Sequence, residues 1–205
     1  MAITTQEHFR NLLAPYPNAP MASWWDELET HYDGPGRYYH AIGHLDHVFY
    51  ELEKVRRYVQ DWDALRFAVI YHDIIYRPTR NDNEKRSALL CVERLGELGF
   101  PQARAERVYR HIMATKLHQM SFDTDANLFV DADLSILGQE RARYAAYTQE
   151  VRQEFSILPD LIYQPGRKKV LRKFLERKRI YLTPTFYERY ETAARENIEW
   201  ELSTF

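Results

Sequence analysis

The chain has 205 residues, of which 45% are hydrophobic and 28% are charged, and its formal net charge is −2. That length and composition fit a single domain, residues 1–205, with a core at about residues 37–140 and terminal helices packed on it. The near-neutral charge excludes broad electrostatic attraction to nucleic acid or to an anionic membrane. The single cysteine, Cys91, excludes an internal disulfide framework and a cysteine-based metal site.

The N-terminal residues show no signal-peptide pattern, and no apolar run reaches the length that spans a bilayer. We therefore expect a cytoplasmic protein with no membrane partner. The sequence leaves open whether the protein forms an oligomer.

Helices are predicted almost throughout, because the chain has only seven glycines and no stretch alternates with a period of two. The predicted helices lie at about 5–14, 23–31, 37–59, 62–75, 81–98, 102–115, 126–137, 140–155, 168–178 and 184–202. A loop is predicted at Asp33–Gly36, a turn around Gln164–Gly166, and a capping box from Asn81 to Glu84. The sequence thus predicts an all-α fold of about eight to ten helices.

An apolar run at Leu65–Tyr76 is interrupted near its end by the adjacent His72 and Asp73. Apolar neighbours on both sides predict a buried helix, and a buried carboxylate is costly unless it is paired or binds a metal. Binding of a divalent cation would compensate the buried carboxylate. A hydrogen bond between a core histidine and a capping aspartate would compensate it as well, so the doublet alone leaves both interpretations open.

Three histidines, His40, His44 and His47, follow the predicted loop at spacings of four and three residues. A helix that starts near Arg37 would place all three on one stripe, where neighbouring rings can reach a common pocket. The alternative is a polar surface stripe whose histidines bind nearby carboxylates. We favour that alternative for His47 and the common pocket for His40 and His44.

Two further carboxylates, Asp131 and Asp133, are predicted near the start of an apolar helix within Leu128–Gly138. Aspartate is favoured at a helix N-cap, which accounts for Asp131. Asp133 lies among apolar residues inside the predicted helix, so a capping role does not account for it. Asp133 is therefore the stronger candidate for a functional role.

Taken in order, these segments resemble the HD superfamily of metal-dependent phosphohydrolases, and within it a small bacterial branch of predicted HD phosphohydrolases. The matching segments are Arg37-x-Tyr39-His40-x3-His44, Tyr71-His72-Asp73 with Ile75-Tyr76, Asn83-Glu84-x2-Ser87-Ala88, Thr115-Lys116-x-His118 and Asp133-Leu134-x-Ile136-Leu137-Gly138, with further similarity at Arg179-Ile180-Tyr181 and Ala194-Arg195-x-Asn197. The similarity extends over about residues 37–202. Five ordered segments are far more specific than a lone His-Asp pair. The resemblance implies a compact HD-domain helical fold.

The resemblance also implies four ligands for a divalent metal ion. They are assigned to His40, His72, Asp73 and Asp133, with His44 as a close neighbour that can exchange roles with His40. Asp133 fits the last of the four ligand positions in the chain better than Asp131, which remains the alternative. Two imidazoles and two carboxylates suit Mn, Mg or Fe and also accept Zn or Ni, so the sequence does not identify the metal.

The implied activity is hydrolysis of a small phosphorylated substrate, nucleotide-like or otherwise, by metal-activated water. Asp73 is expected to be both ligand and proton acceptor, with His44 and Glu84 as further catalytic residues. Glu84 is expected to act as a general acid, to orient a ligand histidine, or only to complete the capping box. Phosphate oxygens are expected to be bound by Arg37, Lys116 and His118.

Three other interpretations remain open. The first is a di-iron HD-fold oxygenase, in which His44, His111 and His118 provide nitrogen ligands for a second metal. The second is a nucleotide-binding regulatory module without turnover, and the third is a purely structural role for the histidines. The basic stretch at 167–179 is amphipathic, but the net charge gives no support for nucleic-acid binding, and we do not expect it.

Overall fold

The computed structural model describes residues 3–205, which form ten α-helices, two short 3₁₀ helices and no strand. The α-helices are α1 Thr5–Leu13, α2 Met21–Tyr32, α3 Ile42–Val55, α4 Trp62–Tyr71, α5 Asn83–Glu97, α6 Gln102–Leu117, α7 Thr124–Leu134, α8 Arg141–Glu154, α9 Asp160–Glu176 and α10 Pro184–Ser203. The 3₁₀ helices are Arg56–Tyr58 and Ser135–Gly138. The predicted all-α fold and the predicted number of helices are confirmed.

Helix α4 occupies the centre of the structure. Its last five residues, Phe67–Tyr71, are all buried, and so are Ala64 and Leu65. A helix that is apolar on every face is stable only when other elements cover it. Helices α1, α3, α5, α6 and α7 all pack against α4. Because α3 and α7 also contact each other, the ends of α3, α4 and α7 can approach one another.

Helix α4 ends four residues earlier than predicted, at Tyr71 rather than near Ile75. The segment that follows is held by side chains rather than by helical hydrogen bonds. Arg37 donates to the carbonyl of Ile74 at 2.8 Å, and the amide of Ile75 donates to Ser87 Oγ at 3.1 Å. The His-Asp doublet therefore lies at the exit of the buried helix, where the chain turns.

The helix predicted from Arg37 was wrong at its start, because α3 begins at Ile42. The preceding segment instead wraps around one carboxylate. The amides of Tyr38, Tyr39 and His40 all donate to Glu154 Oε1, at 3.0, 2.9 and 2.8 Å. His40 therefore precedes the helix and does not share a helical stripe with His44.

The predicted capping box was also wrong. Helix α5 begins at Asn83, and Asp82, the residue before it, makes no side-chain cap. Asp82 binds the guanidinium of Arg80 instead, at 2.7 and 2.8 Å. The Asn83 side chain bonds to both the amide and the carbonyl of Arg77, and so closes the loop between α4 and α5.

Two further boundaries differ from the prediction. Helix α7 starts at Thr124, so Asp131 and Asp133 lie near its end rather than its start. Helix α9 runs through Pro165 where a turn was predicted. Pro165 cannot donate to the carbonyl of Leu161 four residues before it, but both residues are exposed, so water can bond to that carbonyl. None of the helices within residues 3–205 combines the length and apolarity needed to cross a bilayer.

Candidate metal centre

Three helices bring one polar side chain each to a common point. His44 lies in the first turn of α3, His72 directly follows α4, and Asp133 is the second-last residue of α7. The Nε2 atom of His44 is 3.2 Å from both His72 Nε2 and Asp133 Oδ1. His72 Nε2 is 3.7 Å from the same Asp133 oxygen. One potential ligand atom from each residue lies within 4.8 Å of the others, and we call these three residues the inner cluster.

Asp73 adds a fourth donor to the inner cluster. Its Oδ2 atom is 3.2 Å from His72 Nε2 and 3.9 Å from His44 Nε2. Asp73 therefore adds a carboxylate oxygen beside the two ring nitrogens, next to the three residues whose ligand atoms all lie within 4.8 Å of one another. Imidazole nitrogens suit ions such as Zn, Fe and Ni, and carboxylate oxygens suit Mg and Mn. The residues present therefore fit a divalent metal ion.

The sequence analysis assigned His40 as a ligand and His44 as its neighbour, and the structure places these two histidines the other way round. His44 belongs to the inner cluster, whereas the Nε2 atom of His40 reaches only Asp73, at 3.9 Å from its Oδ2. The Nδ1 atom of His40 is 2.6 Å from Glu154 Oε2, and its ring stacks on Tyr76 with centroids 4.2 Å apart. The early start assumed for α3 explains the exchange, since His40 lies before that helix.

The two aspartates of α7 have different surroundings. Residues two apart on a helix point about 200° from each other. Asp133 faces the histidines, whereas Asp131 accepts hydrogen bonds from the amides of Leu182 and Thr183, both at 2.7 Å, and from the Thr183 hydroxyl at 2.6 Å. Asp131 thus holds the start of α10, and the structure brings Asp133, not Asp131, to the inner cluster.

The ring of His72 is oriented by its own helix. Its Nδ1 atom is 2.9 Å from the carbonyl oxygen of Val69, which can only accept, so Nδ1 carries the proton. In the neutral ring, Nε2 then presents its lone pair to the inner cluster. A backbone partner of this kind fixes the tautomer and direction of a metal-binding histidine. His44 lacks such a partner, and its buried Nδ1 makes no hydrogen bond within residues 3–205.

The electrostatics of the inner cluster favour a positive charge. Burial lowers the pKa of His72, but the carboxylates of Asp73 and Asp133 outweigh burial and raise it well above its usual range. Burial raises the pKa of Asp133, but hydrogen bonds with His118, His44 and His72 outweigh burial, and the pKa falls well below its usual range. A proton on imidazole and a bound cation satisfy the same carboxylates, so metal binding would displace that proton.

His118 approaches the other side of Asp133. Its Nε2 atom is 3.6 Å from Asp133 Oδ2, whereas His44 and His72 face Oδ1. His118 ends α6 in the left-handed conformation, with φ 49°. Arg177 donates to the carbonyls of His118 and Leu117, at 2.9 and 3.1 Å, and so holds this turn in place.

The other predicted site residues fall into two groups. Lys116 and Glu84 lie beside the inner cluster, with Nζ 3.8 Å from Glu84 Oε2, and Lys116 also bonds to the carbonyl of Asn81. Arg37 is bound elsewhere: it donates to the carbonyls of His40 and Ile74 and lies between two tyrosine rings. Its guanidinium therefore holds the loops around the site rather than facing the ligand atoms.

Two other histidines lie outside the site. His47 is not at the surface but half-buried, where its Nε2 is 2.8 Å from Ser135 Oγ, and burial lowers its pKa to about 4. His111, considered as a second-metal ligand, is buried with its Nε2 3.0 Å from Asp123 Oδ2. Neither contacts the inner cluster.

The sequence analysis did not identify Glu154. This buried residue binds three backbone amides and the ring of His40, and Tyr76 also donates to its Oε2 at 3.1 Å. Burial raises the pKa of Glu154, but its hydrogen bond with His40 outweighs burial and lowers it. Glu154 is 114 positions from His40 at the end of a highly charged helix, so no local pattern marks it.

A cavity of 860 Å³ opens next to the inner cluster. His40, Glu84, Lys116, His118 and Asp133 line its polar end, and residues of α8 and α9 line much of the remainder. Its volume lies within the range of small-molecule sites, which is about 300–1,000 Å³. Asp133 therefore joins the inner cluster to a cavity large enough for a small substrate.

Comparisons with protein-family models, curated proteins and solved structures gave no match to this chain. The resemblance to the HD superfamily therefore stays a prediction that rests on the segments given above. The geometry of the inner cluster stands independently of it.

Proposed function

We propose that the protein is a metal-dependent phosphohydrolase that cleaves a phosphoester of a small phosphorylated substrate. The observation that carries this proposal is the convergence of ligand atoms from His44, His72 and Asp133, with Asp73 Oδ2 3.2 Å from His72 Nε2, beside a cavity with basic side chains. The resemblance to HD phosphohydrolases supports the same activity.

The four residues would hold one divalent ion, with Mn, Mg, Fe, Zn and Ni all compatible with the donor set. Such an ion supplies, when bound, a water of lowered pKa and a positive charge beside a phosphoryl oxygen. The ordered Nε2 of His72 gives the site one donor that is preorganised by the fold.

Asp73 is the proposed proton acceptor. Its close contacts with His72, His44 and His40 all involve Oδ2, which leaves Oδ1 for the proton of the attacking water. Carboxylates in this position act as general bases when a second oxygen lies within hydrogen-bond reach of the water. Asp73 is partly exposed, so water can approach it.

His40 is the proposed general acid. Burial lowers its pKa, but its hydrogen bond to Glu154 outweighs burial and raises the pKa above the ordinary value. The protonated ring is then available to protonate the leaving oxygen. Lys116 and His118 are proposed to bind the phosphate as negative charge develops, and Glu84 to balance the charge of Lys116.

The test is a phosphatase and phosphodiesterase panel with protein that has been stripped of metal and reloaded with each candidate ion. We expect hydrolysis that disappears in His72→Ala and Asp73→Ala while the helical circular-dichroism spectrum is retained. His47→Gln is the matched control, because His47 lies on the same helix as His44 but outside the inner cluster. If His72→Ala and Asp73→Ala hydrolyse as fast as the parent protein, the proposed centre is wrong.

A second candidate function, oxidation at two metal ions, is favoured by one observation. His118 flanks Asp133 on the side opposite the inner cluster, and His40 flanks Asp73, so each carboxylate has a further imidazole beside it. A two-metal oxygenase would bind two irons per chain and consume oxygen with a substrate. One metal per chain and no oxygen uptake would exclude it and leave the hydrolase.

A further inference from the structure

The cavity beside the inner cluster has two chemically different parts. Its polar end contains Asp133, His118, Lys116 and Glu84. The remaining wall is formed largely by apolar side chains of the second 3₁₀ helix, α8 and α9. They include Ile136, Val151, Phe155, Ile162, Val170 and Phe174.

Helix α9 makes the apolar wall with side chains that it leaves uncovered. Only Tyr163 and Leu171 of this 17-residue helix are buried. Ile162 and Val170 both line the cavity and are 59% and 46% exposed. Apolar side chains facing an open cavity gain free energy when an apolar ligand covers them.

The guanidinium groups of the cavity are already bound to protein atoms. Arg167 donates to Glu201 Oε1 at 2.7 Å and to the hydroxyl of Tyr147 at 3.3 Å. Arg177 donates to two carbonyls of the α6 terminus. The ribose and base of a nucleotide lose hydrogen bonds to water when buried, and they need polar partners. Besides these guanidinium groups, α8 and α9 offer only the hydroxyls of Tyr147 and Tyr163 and the ammonium of Lys173 to the cavity, so this part of the wall is mainly apolar.

From this division we infer that the substrate is the phosphate ester of a hydrophobic alcohol. The phosphate lies at the polar end, and the hydrocarbon body lies along α8 and α9. The inference deepens the proposed function and rests on it. The bond from water oxygen to phosphorus forms, the ester bond to the alcohol oxygen breaks, and the products are inorganic phosphate and the free alcohol.

Binding of alkylphosphonates tests the inference without turnover, because their carbon–phosphorus bond is not an ester. Calorimetry would compare methyl-, butyl- and octylphosphonate on the metal-loaded protein, below the concentration at which octylphosphonate forms micelles. We expect affinity to rise about threefold to fourfold for each methylene group that the cavity covers. Equal affinities along the series would overturn the inference.

Variants of α9 locate the hydrocarbon. In Val170→Asp and Ile162→Asp we expect octylphosphonate to bind at least tenfold more weakly, whereas methylphosphonate binding is unchanged. Leu161→Asp is the matched control, since Leu161 lies on the same helix and is 88% exposed, but outside the cavity. An equal loss in Leu161→Asp, or no loss in the two cavity variants, would place the hydrocarbon elsewhere.

Hydrolysis then separates this inference from the proposed function. Octyl phosphate, a nucleoside monophosphate, glycerol phosphate and p-nitrophenyl phosphate would be compared by kcat/KM. Faster cleavage of the nucleoside monophosphate or glycerol phosphate than of octyl phosphate would overturn the inference and leave the hydrolase. Cleavage of none of them with any metal would overturn the hydrolase, and the inference about its substrate with it.

Discussion

Two sets of carboxylates in this protein have different surroundings: the first set is buried, whereas the second set is partly exposed. The first set, the backbone-binding carboxylates, accepts amide hydrogen bonds from distant segments. Its members are Asp125, which binds the amides of Gln60 and Asp61, Asp131, which binds those of Leu182 and Thr183, Glu154, which binds those of Tyr38–His40, and Glu191, which binds those of Ile180 and Tyr181. The second set, Asp73 and Asp133, contacts several imidazole nitrogens. Glu154 of the first set also binds one imidazole, that of His40, in addition to its three amides.

The difference separates carboxylates that hold distant segments together from carboxylates that remain able to bind a proton or an ion. Peptide N–H groups are fixed dipoles, so a carboxylate that binds them closes a loop and has little capacity left for an ion. Imidazoles exchange protons and bind metals, so carboxylates among them can take either a proton or a cation as partner. Exposure follows the same division, because the backbone-binding carboxylates are at most 6% exposed, whereas the side chains of Asp73 and Asp133 are 15% and 16% exposed.

Removal of ligands from the inner cluster is the change with the largest expected effect. We expect His44→Gln to weaken Mn or Zn binding by at least about 100-fold, because it removes a proposed ligand atom, and loss of a residue that only orients a ligand already costs about 10–100-fold. In His40→Gln, affinity should fall less than tenfold while kcat falls more, since His40 approaches the proposed ligands only at Asp73 and is the proposed general acid. Equilibrium dialysis with each metal measures both variants. Equal loss of affinity would show that His40 is a ligand as well.

The sequence could single out three of the four residues that the structure brings close together, because their signals are local. His72 and Asp73 are adjacent within an apolar run, and Asp133 lies where no cap is needed. The choice between His40 and His44 could not be made from local sequence. It depends on where α3 begins, which Glu154 influences by binding three amides before the helix from 114 or more positions away.

The same reasoning explains the boundaries that were missed. The end of α4 depends on Arg37 and Ser87, which lie in other segments and bind the backbone of Ile74 and Ile75. The cavity wall formed by α9 depends on a helix that passes through Pro165, a residue that sequence rules assign to a turn. Pairings across the fold, rather than propensity, fix each of these features.

The two aspartates of α7 test this comparison directly, because Asp131 is a backbone-binding carboxylate and Asp133 belongs to the second set. In chelator-treated protein, we expect Asp131→Ala to lower the free energy of unfolding by about 3 kcal/mol, because three buried donors lose their acceptor. Asp133→Ala should change it by less than about 1 kcal/mol, since the neighbouring histidines can become neutral. Urea unfolding measures both. A larger loss in Asp133→Ala would mean that the site carboxylate also stabilises the fold.

The pH dependence of stability distinguishes His8, a buried histidine outside the inner cluster, from His72 within it. Burial, followed by Arg66 and Arg56, lowers the pKa of His8 to about 4. Between this value and the ordinary value of about 6.5, the unfolded chain binds a proton that the native protein does not, so stability falls as pH falls. We expect His8 to account for up to about 3 kcal/mol of that loss.

The control is His8→Gln, measured by urea unfolding at pH 7 and pH 4.5 in the presence of chelator. The variant should lose less stability than the parent between these two values. His72 has the opposite shift, so its contribution is present at low pH and is lost as pH rises through its raised pKa. A variant as acid-sensitive as the parent would contradict the assignment to His8.

The smallest expected effect concerns His118, whose imidazole is proposed to bind phosphate but whose backbone conformation lowers the stability of the fold. A left-handed backbone costs a residue with a side chain about 1 kcal/mol relative to glycine, and His118 has φ 49°. We expect His118→Gly to raise the free energy of unfolding by about 0.5–1 kcal/mol while hydrolysis falls. His118→Ala keeps the backbone cost and also loses the imidazole, so it should be no more stable than the parent and equally impaired. If the glycine and alanine variants unfold at the same urea concentration, the backbone at His118 stores no strain, and its conformation reflects only the hydrogen bonds from Arg177.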